Sequence, residues 1–538
     1  MKNCRQCNVQ FELSELEKQF LEKVSPVIAG QKYLIPEPTL CSVCRRQSRY
    51  NFRNDWNLYK RTCSKTGKGI LSVFPADVKF PVYSQESWWS DEFDARDYGR
   101  DFDFSRPFFE QFAELQDVLP RVASMVVNSE NCDYTAFTFK SRNCYLASRL
   151  AENEDIYYSY LVLKCNTCFD SYNLDTCELC YECIDCKGCY NCFYAERCKN
   201  SNDLMFCKDM IGCKDCFGCI GLVQKQYYFF NEKLNREEYE KRVSDWMDGS
   251  LPAIDRARAK LDEMSDSKPI RAVHVYNSES ATGTYIFDSK NAYASFDLVG
   301  CEDVIHCTQL EYAKDVMDGD FALKPELSYE MLSGGMVQRM LFSFVGINNC
   351  SEITYCMESY NGTQNCFGCI GMKKGQYCIL NKQYTKEEYE ALVPRIIEHM
   401  RSSGEWGEYF PSTISPFPYN RTVAMDYIPL RAEEVRARGL IWEEKRDELA
   451  SASGEGVLTC AESGRPFRLV PQEIEFYKKM KLPMPTLHPD VRHKNRLARR
   501  NPYRLKNANC DKCQKSIMTD EQRDRMIYCE SCYLSEIY

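Results

Sequence analysis

The sequence predicts a mainly β fold with accessory helices, in which two segments of short β-solenoid coils lie between duplicated cysteine-rich end modules. Three observations predict it. Cysteine is phase-locked to every third position across the centre, CFGCIG recurs at 216–221 and 366–371, and paired Cys-x2-Cys knuckles stand at both ends.

The chain has 538 residues, 44% of them hydrophobic, 27% charged and 13% aromatic, the composition of a folded protein of several units. Its 32 cysteines are the outlier. The opening MKNCRQCNVQFELSELEKQF has no basic segment followed by an apolar one, and no run of about 18 uninterrupted apolar residues occurs. The expectation is a cytoplasmic protein with mostly reduced thiols and no membrane contact. A net charge of −9 argues against general nucleic-acid affinity but permits a local basic face.

At the N-terminus, Cys4-x2-Cys7 and Cys41-x2-Cys44 form one four-thiolate pattern; at the C-terminus, Cys510-x2-Cys513 and Cys529-x2-Cys532 form another. Two thiolates three positions apart reach one tetrahedral ion, and a second knuckle completes it. Two structural zinc ions are expected, with no coordination position left for water or substrate. Residues 36–70 align without a gap on 483–517, pairing Arg45 with Arg492, Arg49 with Arg496, Arg53 with Arg500 and Cys63 with Cys510. The ends are therefore copies with two potential sites each. In the first copy the second site has decayed to Cys63, Thr66, Ser84 and Ser87; in the second copy the first has decayed to Cys460, Ser463, His488 and Val491. Packing through Trp88 and Trp89 is expected to replace the metal lost from the first copy, and His488 to be structural, because Val491 cannot complete a tetrahedron.

The stretch CSVCRRQSRYNFRN places a knuckle at the start of an expected helix and so resembles treble-clef zinc fingers. The aligned run RHKNRLARRNPYRLKNAN carries Arg492, Lys494, Arg496, Arg499, Arg500, Arg504 and Lys506 without an acid. Basic zinc modules commonly contact phosphate backbones, which makes RNA or a ribonucleoprotein the leading expected partner. The competing reading is a solvated helix face.

From Cys132 to Cys219 all 15 cysteines fall on positions divisible by three, a coincidence expected roughly once in several million. Steps of twelve give Cys132, Cys144, Ile156, Cys168, Cys180, Cys192, Leu204 and Cys216, followed by the largely aromatic column Asp133, Tyr145, Tyr157, Phe169, Tyr181, Phe193, Met205 and Phe217. The last position of the repeat is often Asn or Asp. Four small inward residues per coil predict a narrow tube with a thin core. The pattern resembles the twelve-residue β-helix of insect antifreeze proteins, without their Thr-x-Thr face, so ice binding does not follow. Three states are open for the inward cysteines: reduced buried thiols, bridges such as Cys180–Cys186 and Cys183–Cys189, or a metal or iron–sulfur site within Cys177 to Cys192.

The predicted organisation is a zinc module at 1–100, a Cys-rich solenoid at 128–231 and a helical connector at 235–265. A second solenoid at 272–384, interrupted near 328–340, is followed by an amphipathic helix at 385–402 opening on a Thr385–Glu388 capping box. A linker with a short helix at 403–455 leads to the second zinc module at 456–538. Together, RRNPYRLKNANCDKCQKSI, IYCESCYLSEIY, CELCYECIDCKGCYNC and GCIGLVQKQYYFFNE resemble a family of zinc-ribbon proteins of small-genome candidate-phyla bacteria. A carnitine CoA-transferase label that sometimes accompanies that resemblance implies a nucleophilic carboxylate in a large α/β fold, and no βαβ alternation is visible.

No P-loop, G-x-G-x-x-G after a strand, HExxH or G-x-S-x-G is present, and there are only five histidines, 274, 306, 399, 488 and 493. The expectation is a non-enzymatic scaffold. A protein-interaction surface along the aromatic column is the first alternative and cysteine redox or cluster chemistry the second; for the column, burial under the helices at 235–262 and 385–402 competes.

Overall fold

The structure is a computed structural model, and it describes residues 1–320, 326–332, 338–347, 350–444 and 456–537. A cysteine every third residue is the footprint of a backbone that bends every third residue. The residue before an inward position repeatedly has positive φ: Asn131 at 49°, Asn143 at 52°, Asp155 at 56° and Asn191 at 52°. Asn and Asp tolerate this left-handed region better than most L-residues, which explains their recurrence at the end of the repeat. Side-chain ladders tie successive rungs, as where Asn173 donates to Asp185 at 2.7 Å and Asn191 to Asp203 at 2.8 Å.

Between the bends lie four-residue strands, each paired in parallel with a strand twelve residues on. Cys132 sits beside Cys144, Cys168 beside Cys180, and Cys180 beside Cys192. A ten-stranded sheet from Glu130–Asp133 to Glu232–Lys233 thus alternates along the chain with a six-stranded sheet that ends at Ile184–Lys187. Between them lies a core of cysteines with a few aliphatics. Cys180, Cys183, Cys186 and Cys189 are free thiols rather than the expected alternative bridges. The Cys183 thiol donates to the carbonyls of Tyr181 at 3.5 Å and Cys192 at 3.2 Å, so these side chains act as small buried donors. Burial pushes the Cys207 thiol up.

A second stack pairs Gly283–Phe287, Ser295–Val299 and Thr308–Glu311 on one side, and runs from Lys290–Tyr293 to Lys382–Gln383 on the other. The expected interruption near 328–340 is corrected: Ser328 pairs with Met340 at the same twelve-residue step. Residues 333–337 within that range lie outside the described residues. Two thirteen-residue steps follow, Met340 to Ile353 and Ile353 to Cys366, before Cys366 to Cys378 restores twelve. Two extra residues therefore shift the phase after Met340, beyond the range where the interruption was expected.

The aromatic column is not an exposed stripe, and the protein-contact alternative built on it is corrected. Phe169, Tyr181, Phe193 and Phe217 are at most 7% exposed. The helix Leu251–Ser267 covers the column with Ile254, Ala257 and Leu261, and the C-terminal module's helix Pro471–Lys479 lays Phe476 on Phe169 at 3.9 Å and 10°. The expected connector is two helices, Arg236–Trp246 and Leu251–Ser267. The helix Lys386–Ser403 opens on the capping box read from the sequence: Thr385 accepts from the Glu388 amide and Glu388 accepts from the Thr385 amide. Among the described residues, no helix is long and apolar enough to cross a membrane.

Candidate metal centres

Two sets of four cysteines converge in space: Cys4, Cys7, Cys41 and Cys44, and Cys510, Cys513, Cys529 and Cys532, each with all Sγ atoms within 4.8 Å of one another. A tetrahedral ion with metal–sulfur bonds of about 2.3 Å requires sulfur–sulfur edges of about 3.8 Å. Cys7 and Cys41 stand 3.7 Å apart at Sγ, as do Cys513 and Cys529. The donor sets fit one metal ion each, and all-thiolate ligation favours zinc among common structural ions.

Local folding creates this geometry. Each first knuckle is a tight turn closed by backbone bonds, Asn8 to Cys4 at 2.9 Å in one and Gln514 to Cys510 at 2.8 Å in the other. Each second knuckle opens a helix, Ser42–Tyr50 or Glu530–Ile537. Amides aim at the sulfurs as thiolates require: Cys41 donates to the Cys4 sulfur at 3.4 Å and Cys529 to the Cys510 sulfur at 3.3 Å. Hydrogen bonding from Cys44 draws the Cys41 thiol down to about 5, and the Ser531 hydroxyl helps hold Cys529 at about 6.

The two decayed sites keep the turn and lose the donors. Cys63 still accepts from the Ser84 amide at 3.2 Å, while Ser84 and Ser87 bond to each other at 3.0 Å. Beside them Trp88 is fully buried, donates to the Pro120 carbonyl at 3.0 Å and packs edge-on against Trp89 and Tyr360. In the other copy His488 caps the helix Pro489–Leu497 by accepting from the Asp490 amide, and Val491 joins Cys460 and Phe467 in an apolar cluster.

The basic run is placed otherwise than the RNA reading required. Arg492 is paired with Asp170 and with Glu473 at 3.3 Å; Arg496 reaches Asp170 at 2.8 Å and Glu182 at 3.2 Å. Arg499 pairs with Glu196, and Arg500 bridges Asp185 at 2.9 Å and Asp297 at 2.7 Å. Arg492 and Arg496 are 5% and 1% exposed, so neither can present its charge to a phosphate backbone. Lys494 and Arg504 are exposed and Lys506 is half-buried, too few to make a basic face. The nucleic-acid assignment of this run is corrected: an isolated basic stretch in an acidic protein found its counter-ions inside the same chain.

The N-terminal copy docks in the same way on the other stack. Arg45 pairs with Asp318 at 2.7 Å and Glu17 at 3.8 Å; Arg49 pairs with Asp320 at 2.6 Å and Asp318 at 3.5 Å, with Glu330 at 3.9 Å. The carboxylates lie in one column in each stack, Asp170 and Glu182 in the first and Asp318 and Glu330 in the second, and twelve residues before each pair the column carries Tyr158 or His306. Glu473 accepts from Tyr158 at 2.6 Å, and Glu17 bonds His306 at 3.0 Å. Sequence reasoning missed these carboxylates, although their recurrence in register was there to be read. The modules also touch reciprocally. Arg46 of the first lies 5.8 Å over the Tyr503 ring, while Trp56 of the first stacks on His493 of the second at 4.1 Å, and 46 and 56 align with 493 and 503.

Each module also pairs a strand with the segment that precedes the other stack. Val82–Tyr83 of the N-terminal module pairs in parallel with Arg121–Val122, just before the first stack, and Ile527–Tyr528 pairs in parallel with Ile270–Arg271, just before the second. No protein-family model matches the chain, and no curated protein matches it.

Proposed function

We propose that this protein is a zinc-binding, non-enzymatic scaffold in which two short-coil β-solenoids are cross-linked by duplicated treble-clef and zinc-ribbon modules, divided along the chain as the sequence predicts. The observation that carries the reading is the reciprocal docking. Each module buries two arginines against one stack and adds a strand beside the start of the other. The parallel twelve-residue register supports the solenoid reading, since coils stacked this way bury a thin core and contact mainly their neighbours. Such an array gains little long-range stiffness from its own contacts, and two rigid modules spanning both arrays supply it.

The eight cysteines of the two converging sets are the proposed ligands of two structural zinc ions. Four thiolates each leave no open position, which supports a structural rather than a catalytic role. Elemental analysis of purified protein tests the reading. Two zinc per chain, released together with loss of the module fold on chelation, is the expected result; iron, a visible chromophore, or fewer than two tightly held ions overturns it.

A further inference from the structure

Several cavities open among the described residues, and the one where the two stacks face each other, about 260 Å³, is built from matched rungs of both. One wall is the column Asp175, Lys187, Lys199 and Ile211 of the first stack. The other is Glu311, Val299, Phe287 and Tyr276 of the second. Lys199 fixes their alignment, since its ammonium rests on the Phe287 ring, 3.1 Å from the centroid. Tyr276 lies parallel to Phe287 with centroids 5.2 Å apart, so the second wall runs from two rings through a valine to a carboxylate. Small-molecule sites have this form, an apolar wall with a few polar groups, and a volume just below their usual lower limit of about 300 Å³ suits a single ring.

The cleft is lined by Asp175, Asp185, Asp209, Asp288, Asp297 and Glu311, and their counter-ions fall short. Asp175 pairs with Lys187 at 2.7 Å, Arg197 grips Asp209 through two bonds of 2.8 and 3.0 Å, and Asp185 and Asp297 share Arg500 at 2.9 and 2.7 Å. Asp288 stands at the exposed rim, where its charge acts on Lys199. His274 adds no charge, because burial draws it down to about 4. Glu311 is left, half-buried and with no hydrogen bond or ion pair among the described residues. Burial, then Asp175 across the cleft, pushes its carboxyl up against the pull of Lys187, Arg149 and Lys164. Those three are committed elsewhere: Lys187 to Asp175, Arg149 to the Gln309 carbonyl at 2.6 Å, and Lys164 to solvent. The cleft is thus short of positive charge, and the shortage lies at its Glu311 end.

We propose that this cleft binds a small arylalkyl primary amine, its ammonium between Glu311 and Asp175 and its ring on Val299 at the edge of Phe287. Neighbouring strands lie about 4.8 Å apart, and a two-carbon spacer carries a ring about that far from its ammonium, one rung along the wall. An ammonium between two carboxylates forms charge-assisted bonds that a neutral group cannot replace. The proposal goes beyond the scaffold reading and is independent of the zinc sites.

Titration calorimetry of the zinc-loaded full chain tests it, with 2-phenylethylamine as the probe and 2-phenylethanol and 3-phenylpropionate as its neutral and anionic comparisons. The expected result is a dissociation constant of about 1 mM or tighter for the amine, with both comparisons at least about tenfold weaker. Glu311→Gln should weaken the amine by about tenfold and Val299→Ala by about threefold, whereas Asp288→Asn at the rim should change it less than about twofold. No heat with 2-phenylethylamine, equal or tighter binding of 3-phenylpropionate, or unchanged affinity in a folded Glu311→Gln or Val299→Ala protein overturns the proposal.

Discussion

The two end modules dock by aligned arginines and keep opposite four-cysteine sets. In the N-terminal module the intact cysteine set includes Cys41 and Cys44, at the head of the helix that carries Arg45 and Arg49 into the second stack. In the C-terminal module the equivalent helix, Pro489–Leu497, has no metal site; His488 and Val491 stand where two ligands would be, and the intact set instead ties the hairpin Lys506–Asn509 and Ser516–Thr519 to the last helix. Yet Arg492 and Arg496 are as deeply seated as Arg45 and Arg49. Metal is therefore not what docks the helix. The buried carboxylates do that, and a metal ion held by either cysteine set would organise its own half of the module.

The largest expected effect breaks the metal side of this comparison. Cys510→Ser or Cys532→Ser should release one zinc and disorder residues 500–538 while both stacks stay folded, because ligation supplies on the order of 10 kcal/mol to such a module. Cys41→Ser should release the other zinc and leave the helix Ser42–Tyr50 protected by its ion pairs. Elemental analysis with hydrogen exchange distinguishes these outcomes, and exchange spreading through that helix would show that metal, not charge, seats it.

Next come the carboxylates. Removing one partner of a buried ion pair costs about 3–5 kcal/mol, so Asp170→Ala and Asp318→Ala should destabilise by similar amounts in denaturant titrations. Unequal losses would mean that the two docking sites are alike in outline only. The acceptors above them already differ: hydrogen bonding from His306 holds Glu17 at about 2 against its burial, whereas burial pushes Glu473 up beside Tyr158.

A smaller effect comes from pH at the contact between modules. Burial, reinforced by Arg496, lowers His493 from 6.5 to about 3 while it stacks on Trp56. Between those values the unfolded chain binds a proton that the folded chain refuses, so this contribution is complete above about 6.5 and is lost as pH falls toward 3. The stability difference between the natural protein and His493→Gln should shrink by about 1.4 kcal/mol per pH unit below about 6. A pH-independent difference would place the proton elsewhere.

The smallest expected effect is at the decayed sites. Cys63→Ser and Cys460→Ser should leave the zinc count unchanged and cost about 1 kcal/mol or less, since each sulfur accepts an amide hydrogen bond that a serine oxygen can also accept. Loss of zinc from Cys63→Ser would end the argument that each module kept one site.

What was legible in the sequence was whatever is local or periodic. The Cys-x2-Cys spacings predicted which eight sulfurs converge, because a knuckle is a tight turn set by its own few residues. The twelve-residue step predicted the pairing of Cys168 with Cys180, because a stacked coil answers mainly to its neighbours. The solvent state of a charge or a ring is different: it depends on what lies across from it, and nothing in RHKNRLARRNPYRLKNAN says that Asp170, Glu182, Asp185 and Asp297 face that run from more than 200 residues away. The same holds for Phe169, which the repeat turned away from the thin core, leaving exposure or cover open, and which Phe476 covers. Period and ligand spacing are written along the chain; burial and charge pairing are decided only when distant segments meet, since both reflect the removal of water by a partner that sequence proximity does not identify.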